Sequence, residues 1–280
     1  MPLPPAARYA CFVSGETQTV EPPNSALRKN SSMAKPKYSY NPEPRLSANQ
    51  LSELVNATPT RRKSIITGAK FPKGAIVAQY RDANEQLLAF LQNPSRHNPN
   101  FLTKIEALYE KSSDTALTAW VRNDAGRSAE ALEAVQNLYN KTGLSKLDLR
   151  PLPLKKPKVI LEGVQVSSSA SCSVHGKFKK EDAVGCLSLL LNKSETSTAV
   201  RIERCRAAAV LSVLYAEQHL TNFGQAKPKF SVSYDVFRGV LVTAPNTYKK
   251  RLDNMKFACE EVVIRWPSID PPSDYDGPAV

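Results

Sequence analysis

The 280-residue sequence predicts an α+β protein in which an all-helical N-terminal region precedes a small mixed α/β domain. From Leu46 to about Gly143, apolar residues recur at spacings of three and four, which is the period of a helix. After a segment rich in proline and lysine at 149–157, apolar residues alternate with the period of a β-strand. We therefore expect a helical basic domain over 46–148, a linker over 149–157 and the α/β domain over 158–266.

Capping residues and prolines place the helices of the first domain. A polar N-cap or a proline at the first turn satisfies, or removes, backbone N–H groups that have no partner inside the helix. These signals predict helix starts at Ser47, Thr58-Pro59, Asp82, Pro99 and Ser128. Gly143 stands where a glycine commonly follows the end of a helix.

The second domain is predicted to have the element order β-β-β-α-β-β-α. Alternation over 159–166 and the apolar run Val184 to Leu191 indicate strands on either side of a Ser-rich segment. A long helix follows over 199–220. Two further strands are predicted to pair in a hairpin that turns at Arg238-Gly239, and the last helix is expected over 248–266.

Both ends of the chain are expected to be disordered. The first 45 residues contain eight prolines and no sustained apolar period. Met33 is a plausible start of translation, so residues 1–32 are expected to be an extension outside the functional protein. The segment 267–280 has four prolines, three aspartates and no basic residue, so we predict an acidic tail.

Net charge points to a polyanionic partner. The chain has 38 Lys and Arg against 26 Asp and Glu, a formal charge of +12, which favours nucleic acid. Sparse glycine excludes a collagen-like protein, and no apolar run is long enough to span a membrane, so no membrane partner is expected. Five widely spaced cysteines without a CxxC pair are typical of reduced thiols in a cytoplasmic protein.

Three clusters of basic residues are candidate contacts for phosphate groups. Two are triplets at predicted helix starts, where arginine forks and free backbone N–H groups could face the same phosphate. The clusters are Arg61-Arg62-Lys63, Lys249-Lys250-Arg251, and Lys177 with Lys179 and Lys180 on a loop. Any one of them could instead be ordinary solvated surface. Their number favours a phosphate-binding face, with the two triplets as its predicted nucleic-acid contacts.

Common catalytic signatures are missing from the sequence. It has no GxGxxG, no Walker loop, no HExxH and no GxSxG. Cys172, His175 and Cys186 could in principle ligate zinc, but no fourth ligand lies at a suitable spacing. We therefore expect no metal site and no cofactor.

The order of elements from Lys158 to Trp266 resembles the core of the PD-(D/E)xK nuclease superfamily. That resemblance implies an Asp on one strand and an acid-x-Lys pair on the next, with the carboxylates holding Mg²⁺. Here Cys186 stands at the position of the acid and Ser188 at that of the lysine, and the preceding strand, Ser169 to Cys172, has no Asp. The resemblance therefore implies a catalytically inactive copy.

An active copy would need relocated site residues and Mg²⁺. The candidates are Glu162, Asp235 and Lys193, with Glu195 as a further acid. From Leu46 onward the chain is also similar to bacterial or prophage-encoded proteins that pair a helical part with such a domain.

Three functions follow from the sequence. The first is a non-catalytic nucleic-acid-associated protein that binds the phosphate backbone through its basic clusters. The second is a protein-interaction accessory module without nucleic-acid binding. The third is a metal-dependent nuclease whose carboxylates have moved.

Overall fold

A computed structural model of the protein describes residues 36–73, 79–93, 95, 101–153, 158–193 and 197–280. The seven helices in these residues are α1 (Ala48–Asn56), α2 (Pro59–Lys70), α3 (Arg81–Gln92), α4 (Phe101–Ser113), α5 (Ala119–Leu138), α6 (Thr198–His219) and α7 (Tyr248–Arg265). The strands are β1 (Arg45–Ser47), β2 (Asp148–Arg150), β3 (Lys158–Leu161), β4 (Val164–Ser167), β5 (Ala170–Phe178), β6 (Glu181–Leu190), β7 (Gln225–Ala226), β8 (Val232–Asp235) and β9 (Val240–Thr243). The predicted α+β class is confirmed.

The strands form two sheets. The larger has the order β2-β5-β6-β8-β9, in which β6 and β8 are parallel and the other neighbours are antiparallel. Strand β7 also pairs with β6. The smaller sheet has the order β1-β4-β3. The predicted order β-β-β-α-β-β-α is wrong in detail, because within 158–266 four strands precede α6 and the short β7 follows it. Strands β1 and β2 were not predicted either, since their residues were assigned to a tail, a helical domain and its linker.

Helices cover both faces of the larger sheet. On β6, Val184 and Cys186 belong to a core with α6, α7, α1, α2 and the smaller sheet. Leu187 and Leu189, which point to the opposite face, belong to a second core with α3, α4 and α5. Because β6 is buried on both faces, its sequence is a continuous apolar run. Helices of the N-terminal half thus share both cores with the sheets, and residues 36–280 fold as one compact unit.

Helix starts match the predicted caps at two positions and differ at two others. Ser47 forms a capping box with Gln50 at the start of α1, and Pro59 is the first residue of α2. Asp82, however, lies inside the first turn of α3, whose N-cap is Tyr80. Ser128 is buried within α5, which begins ten residues before the predicted start because Thr118 caps it. Pro99 lies outside the described residues.

The predicted disorder of the acidic C-terminal tail is wrong. Ile269 is buried, and the ring of Tyr275 packs on Phe71 and Tyr38. The carboxylates of Asp274 and Asp276 accept hydrogen bonds from Tyr38 at 2.6 and 3.0 Å. Apolar residues interleaved with the acids therefore anchor the tail. Residues 36–45, also predicted as disordered, take part in the same packing, whereas 1–35 lie outside the described residues.

A side chain of α6 forms hydrogen bonds with the backbone at one edge of the smaller sheet. Strand β3 is an edge strand, and the Gln218 amide of α6 accepts from the N–H of Ile160 at 3.1 Å and donates to its carbonyl at 2.9 Å. His219 contacts the carbonyl of Lys158 at 2.8 Å. These contacts satisfy backbone groups that an edge strand would otherwise leave unpaired.

Within the described part of the chain, no helix combines the length and the apolar character needed to cross a membrane.

Candidate nucleic-acid interface

The two predicted arginine-containing triplets lie close together. Arg61, in the first turn of α2, lines a groove with Glu203 of α6, and Arg251, in the first turn of α7, lines a neighbouring groove with the same glutamate. Helix α1 lies between them and contributes Ser52 to both grooves. We call Arg61, Arg62 and Arg251 the arginine surface.

Each arginine of this surface is paired with a carboxylate. Arg61 contacts Glu53 at 2.7 Å, Arg62 contacts Glu261 at 2.5 Å, and Arg251 contacts Glu203 at 2.5 Å. The guanidinium of Arg62 also donates to the carbonyls of Val55 and Ala57, which end α1. The hydrogen bond from Arg251 lowers the pKa of the Glu203 carboxyl, so this acid stays ionised. The positive charge of the arginine surface is therefore largely neutralised by carboxylates of the protein itself.

The lysines of the same triplets differ from the arginines. Lys63, Lys249 and Lys250 are exposed, and among the described residues none of them has a carboxylate within ion-pair distance. They add positive charge beside the neutralised arginines.

The third cluster lies at the tip of a β-hairpin. Phe178 of β5 pairs with Glu181 of β6, so Lys179 and Lys180 form a two-residue turn. Both lysines have positive φ, 50° and 73°, as a type I′ turn requires. This turn strongly favours Asn-Gly, because an L-residue with a Cβ in the left-handed region is strained by roughly 1–2 kcal/mol. Two lysines therefore hold a position that local conformational preference disfavours.

Lys227 joins the hairpin tip from a distant part of the chain. The Nζ atoms of Lys179 and Lys227 lie 5.8 and 5.3 Å from the centre of the Phe178 ring. Lys229 follows in a 3₁₀ turn, Pro228–Phe230. We call Lys177, Lys179, Lys180, Lys227 and Lys229 the lysine surface. Among the described residues none of these lysines has a carboxylate partner, and Glu181 and Asp182 are the acids of the adjoining strand end.

A glycine allows the 3₁₀ turn to approach the sheet. A Cβ on Gly185 of β6 would lie 2.3 Å from the backbone carbonyl of Phe230, closer than any real contact. The N–H of Lys227 donates to the carbonyl of Val184 at 3.0 Å. The turn is thus fixed against β6, and its lysines have defined positions.

An exposed aromatic ring lies beside the lysine surface. Phe223 is 50% exposed, and its ring meets that of His175 at a centroid distance of 5.8 Å. His175 and Lys177 lie on the same face of β5, because side chains alternate along a strand, whereas Phe178, over which Lys227 lies, is on the opposite face. Burial lowers the pKa of His175, which favours the neutral imidazole near neutral pH. Positive charge and a stacking surface are the two elements that single-stranded nucleic-acid sites combine.

The candidate nuclease residues have separate partners. Asp235, at the end of β8, accepts two hydrogen bonds from Arg201 at 2.6 and 2.7 Å, and both side chains are buried. Glu162 lies in the turn between β3 and β4 and faces Lys256 of α7 at 3.9 Å. Lys193 contacts Glu130 of α5 at 2.8 Å. Each of these three candidates therefore contacts a different partner, and no contact joins them in one site. Glu195 lies outside the described residues.

The positions that the nuclease resemblance assigns to an acid and a lysine belong to the core. Cys186 is buried, and burial raises the pKa of its thiol. The hydroxyl of Ser188 lies 2.8 Å from that of Ser212 on α6, and both residues are buried. In the described residues, no three His, Cys, Asp or Glu side chains form a group that could hold a metal ion.

The four cysteines of the described residues are buried in the core. Cys186, Cys205 and Cys259 are free thiols, and Cys172 of the sheet is buried as well. Burial raises the pKa of Cys205 to about 11 and that of Cys259 to about 12, so these thiols stay protonated near neutral pH.

Sequence reasoning found part of the lysine surface. The cluster at 177–180 was visible, but the role of Lys227 and Lys229 depends on the pairing of β7 with β6. The short β7 has only two residues, too few for an alternating pattern.

No protein-family model matches the chain, and no curated protein matches its sequence.

Proposed function

We propose that the protein binds the phosphate backbone of nucleic acid through the lysine surface and does not cleave it. The observation that carries this proposal is a strained hairpin tip formed by Lys179 and Lys180, with Lys227 over the neighbouring Phe178 ring and no carboxylate partner for these lysines among the described residues. A charge cluster of this kind attracts a polyanion by releasing its condensed counterions. Residues with strained backbone conformations cluster at functional sites in proteins.

The proposal moves the main contact from the arginine-containing triplets to the hairpin. An arginine already bonded to a carboxylate must break that pair before it can contact a phosphate. Lys63, Lys249 and Lys250 carry no such cost, and they remain candidates for weaker, additional contacts.

Binding without cleavage is supported by the environment of the acids. A carboxylate that accepts two hydrogen bonds from a buried arginine, as Asp235 does, is not available to a divalent cation. A nuclease-like domain of bacterial or prophage type remains part of this proposal through the sequence resemblance over 158–266, and the two positions assigned to the acid and the lysine, Cys186 and Ser188, are buried in the core.

A cytoplasmic location belongs to the same proposal. The free thiols of Cys186, Cys205 and Cys259, buried in the core, suit a reducing compartment, where disulfides do not persist.

Salt dependence of binding to a short DNA duplex tests the proposal. Each phosphate neutralised on B-DNA contributes about −0.9 to the slope of log Kobs against log salt concentration. If four or five lysines each contact a phosphate, we expect a slope of about −4 when binding is measured by fluorescence anisotropy. A slope near zero would remove the phosphate contact.

Paired variants identify the surface that binds. Lys179→Gln with Lys227→Gln should flatten the slope by about 2. Arg61→Gln with Arg251→Gln is the matched control, because it removes the same charge from the arginine surface. An equal loss in both variants would contradict the assignment to the lysine surface.

A protein-interaction module without nucleic-acid binding is the alternative. Phe257 and Ile264 of α7 are 67% and 77% exposed and lie seven residues apart, on one face of the helix. An exposed apolar face of this kind is a candidate contact for another protein. A salt slope near zero would favour it.

A further inference from the structure

A cavity of about 180 Å³ opens at the carboxyl ends of the parallel strands β6 and β8. Its wall is made by the first turn of α1, the serines between β4 and β5, and two arginines of α6. The residues that carry the argument are Ser168, Ser169, Arg201, Arg204 and Asp235. In open α/β sheets, ligands bind outside the carboxyl ends of the strands.

Among the described residues, the charged side chains that line this cavity leave a net positive site. Arg201 and Asp235 form a bidentate pair and neutralise each other. Arg204 lies one turn further along α6, is half-buried, and has no carboxylate partner among the described residues. The positive end of the α1 dipole faces the same space. The cavity therefore favours an anion.

A buried hydroxyl in the cavity wall is unsatisfied. The Oγ atom of Ser169 is shielded from solvent and has no hydrogen-bond partner among the described residues. A buried polar group without a partner costs free energy, so most such groups in proteins are paired. Ser168 keeps a hydroxyl proton to donate, because its oxygen accepts from the N–H of Ala170 at 2.9 Å. Ser168 thus offers a donor in the cavity wall, and the Ser169 hydroxyl, whose oxygen is shielded as it stands, would reach the cavity by rotation about the Cα–Cβ bond.

We infer that this cavity binds a phosphoryl group, held by the guanidinium of Arg204 and the hydroxyls of Ser168 and Ser169. A volume of about 180 Å³ is smaller than the roughly 300–1,000 Å³ of pockets that enclose a whole small molecule. The phosphoryl group is therefore either free inorganic phosphate or the terminal group of a nucleotide whose remainder stays outside.

The cavity is separate from the lysine surface. The two lie at opposite ends of β6, whose ten residues at about 3.3 Å each place them roughly 30 Å apart. The inference therefore does not depend on the proposed function, and it has its own variants.

Calorimetric titration with inorganic phosphate tests the inference. We expect saturable binding to the full chain and a loss of about tenfold or more in Arg204→Gln, because one charge-assisted hydrogen bond is removed. The matched control is Arg206→Gln, since Arg206 is exposed on the same helix and already pairs with Glu203. No saturable binding by the unsubstituted protein, or equal binding by Arg204→Gln, would overturn the inference.

A second variant keeps the test independent of folding. Ser169→Ala removes only the unpartnered hydroxyl, so it should weaken phosphate binding several-fold while the midpoint of thermal unfolding stays the same or rises. If Ser169→Ala binds phosphate as well as the unsubstituted protein, the hydroxyl is not a ligand contact and the inference fails.

Two further measurements identify the source of the group and separate this site from the lysine surface. A 5′-phosphorylated oligonucleotide that competes with phosphate, when its 5′-hydroxyl counterpart does not, indicates a nucleic-acid terminus. Failure of both to compete indicates free phosphate. Lys179→Gln with Lys227→Gln should leave phosphate binding unchanged, and a parallel loss there would contradict two separate sites.

Discussion

Replacing Lys179-Lys180 by Asn-Gly should make the protein more stable and weaken its binding to nucleic acid. Both lysines have positive φ in the two-residue turn between β5 and β6. Asn-Gly is the sequence that this turn favours most, so the double variant relieves strain. It also removes two of the five charges of the lysine surface.

The expected gain in stability follows from the two backbone conformations. Strain of roughly 1–2 kcal/mol per residue is relieved, but glycine loses about 0.5–1 kcal/mol through its larger entropy in the unfolded chain. The contact of Lys179 with the Phe178 ring, at 5.8 Å, also disappears. A net gain of about 1–2 kcal/mol remains, which raises the unfolding midpoint by roughly 2–8 °C in a protein of this size.

Thermal unfolding followed by circular dichroism measures the first effect, and fluorescence anisotropy with a DNA duplex at several salt concentrations measures the second. Loss of two lysines should reduce the magnitude of the salt slope by about 1.8. The control is Lys179→Gln with Lys180→Gln, which removes the same charges but keeps a side chain at both strained positions. This control should bind as weakly as the Asn-Gly variant without its gain in stability.

Two results would refute the reasoning. A midpoint of the Asn-Gly variant at or below that of the unsubstituted protein would show that the turn is not strained. A gain in stability with an unchanged salt slope would show that the turn lysines do not contact phosphate.

The remaining predictions concern a buried pair, the tail and the thiols. Asp235→Ala should lower the free energy of unfolding in urea by about 3–5 kcal/mol, since it leaves Arg201 buried without its carboxylate; adding Arg201→Met should restore part of the loss, and a larger loss in the double variant would contradict this. The pKa of Asp274 is lowered to about 2 from an ordinary 3.8, first by its hydrogen bond from Lys37, so its contribution to tail packing is present above about pH 4 and is lost as the pH falls through about 2. Carbon NMR of the Asp274 carboxyl should give that midpoint, and Lys37→Met should raise it towards 3.8; an unchanged midpoint would disprove the contact. In the folded protein at pH 8, the four described cysteines should not react with a disulfide reagent, whereas all five cysteines of the chain should react after denaturation; rapid reaction of two or more thiols in the folded protein would contradict their burial.

Much of the fold could be predicted from local signals. Long periodic segments such as α6 and α7, and the hairpin of β8 and β9, agree with the predicted elements to within about two residues at most ends. These elements have strong apolar patterns of their own. Strands β1 and β2 were missed because each has three residues, and pairing with a distant strand determines their conformation.

The predicted start of a helix was wrong where a second residue could act as its N-cap. Thr118 and Ser128 are both acceptable N-caps, and only packing against α4 decides that α5 begins at the first. The prediction of a disordered C-terminal tail was wrong for a related reason. Its prolines and aspartates are typical of disorder, but residues more than 190 positions earlier in the chain hold it: the half-buried Tyr275 packs on Phe71, and the carbonyl of Ile269 accepts a hydrogen bond from Lys70.

The candidate site, like the fold, could be predicted from the sequence only in part. Basic residues could be located from the sequence, but not which of them are neutralised. The partners of Arg62 and Arg251 lie 199 and 48 positions away, so only the folded chain reveals that these charges are paired. The cavity at the ends of β6 and β8 combines five segments of the chain, and its serines had no local pattern that indicates a ligand.

The contact between Gln218 and Ile160 limits how another protein can bind at this edge. Many peptide-binding proteins recruit an extended segment by adding it as a new strand, which requires free backbone N–H and carbonyl groups. At Ile160 both groups already engage one side-chain amide, at 3.1 and 2.9 Å. An incoming strand would have to displace Gln218 first. Recognition at this edge must therefore proceed through side chains, such as the exposed Ile160 itself, rather than through the backbone.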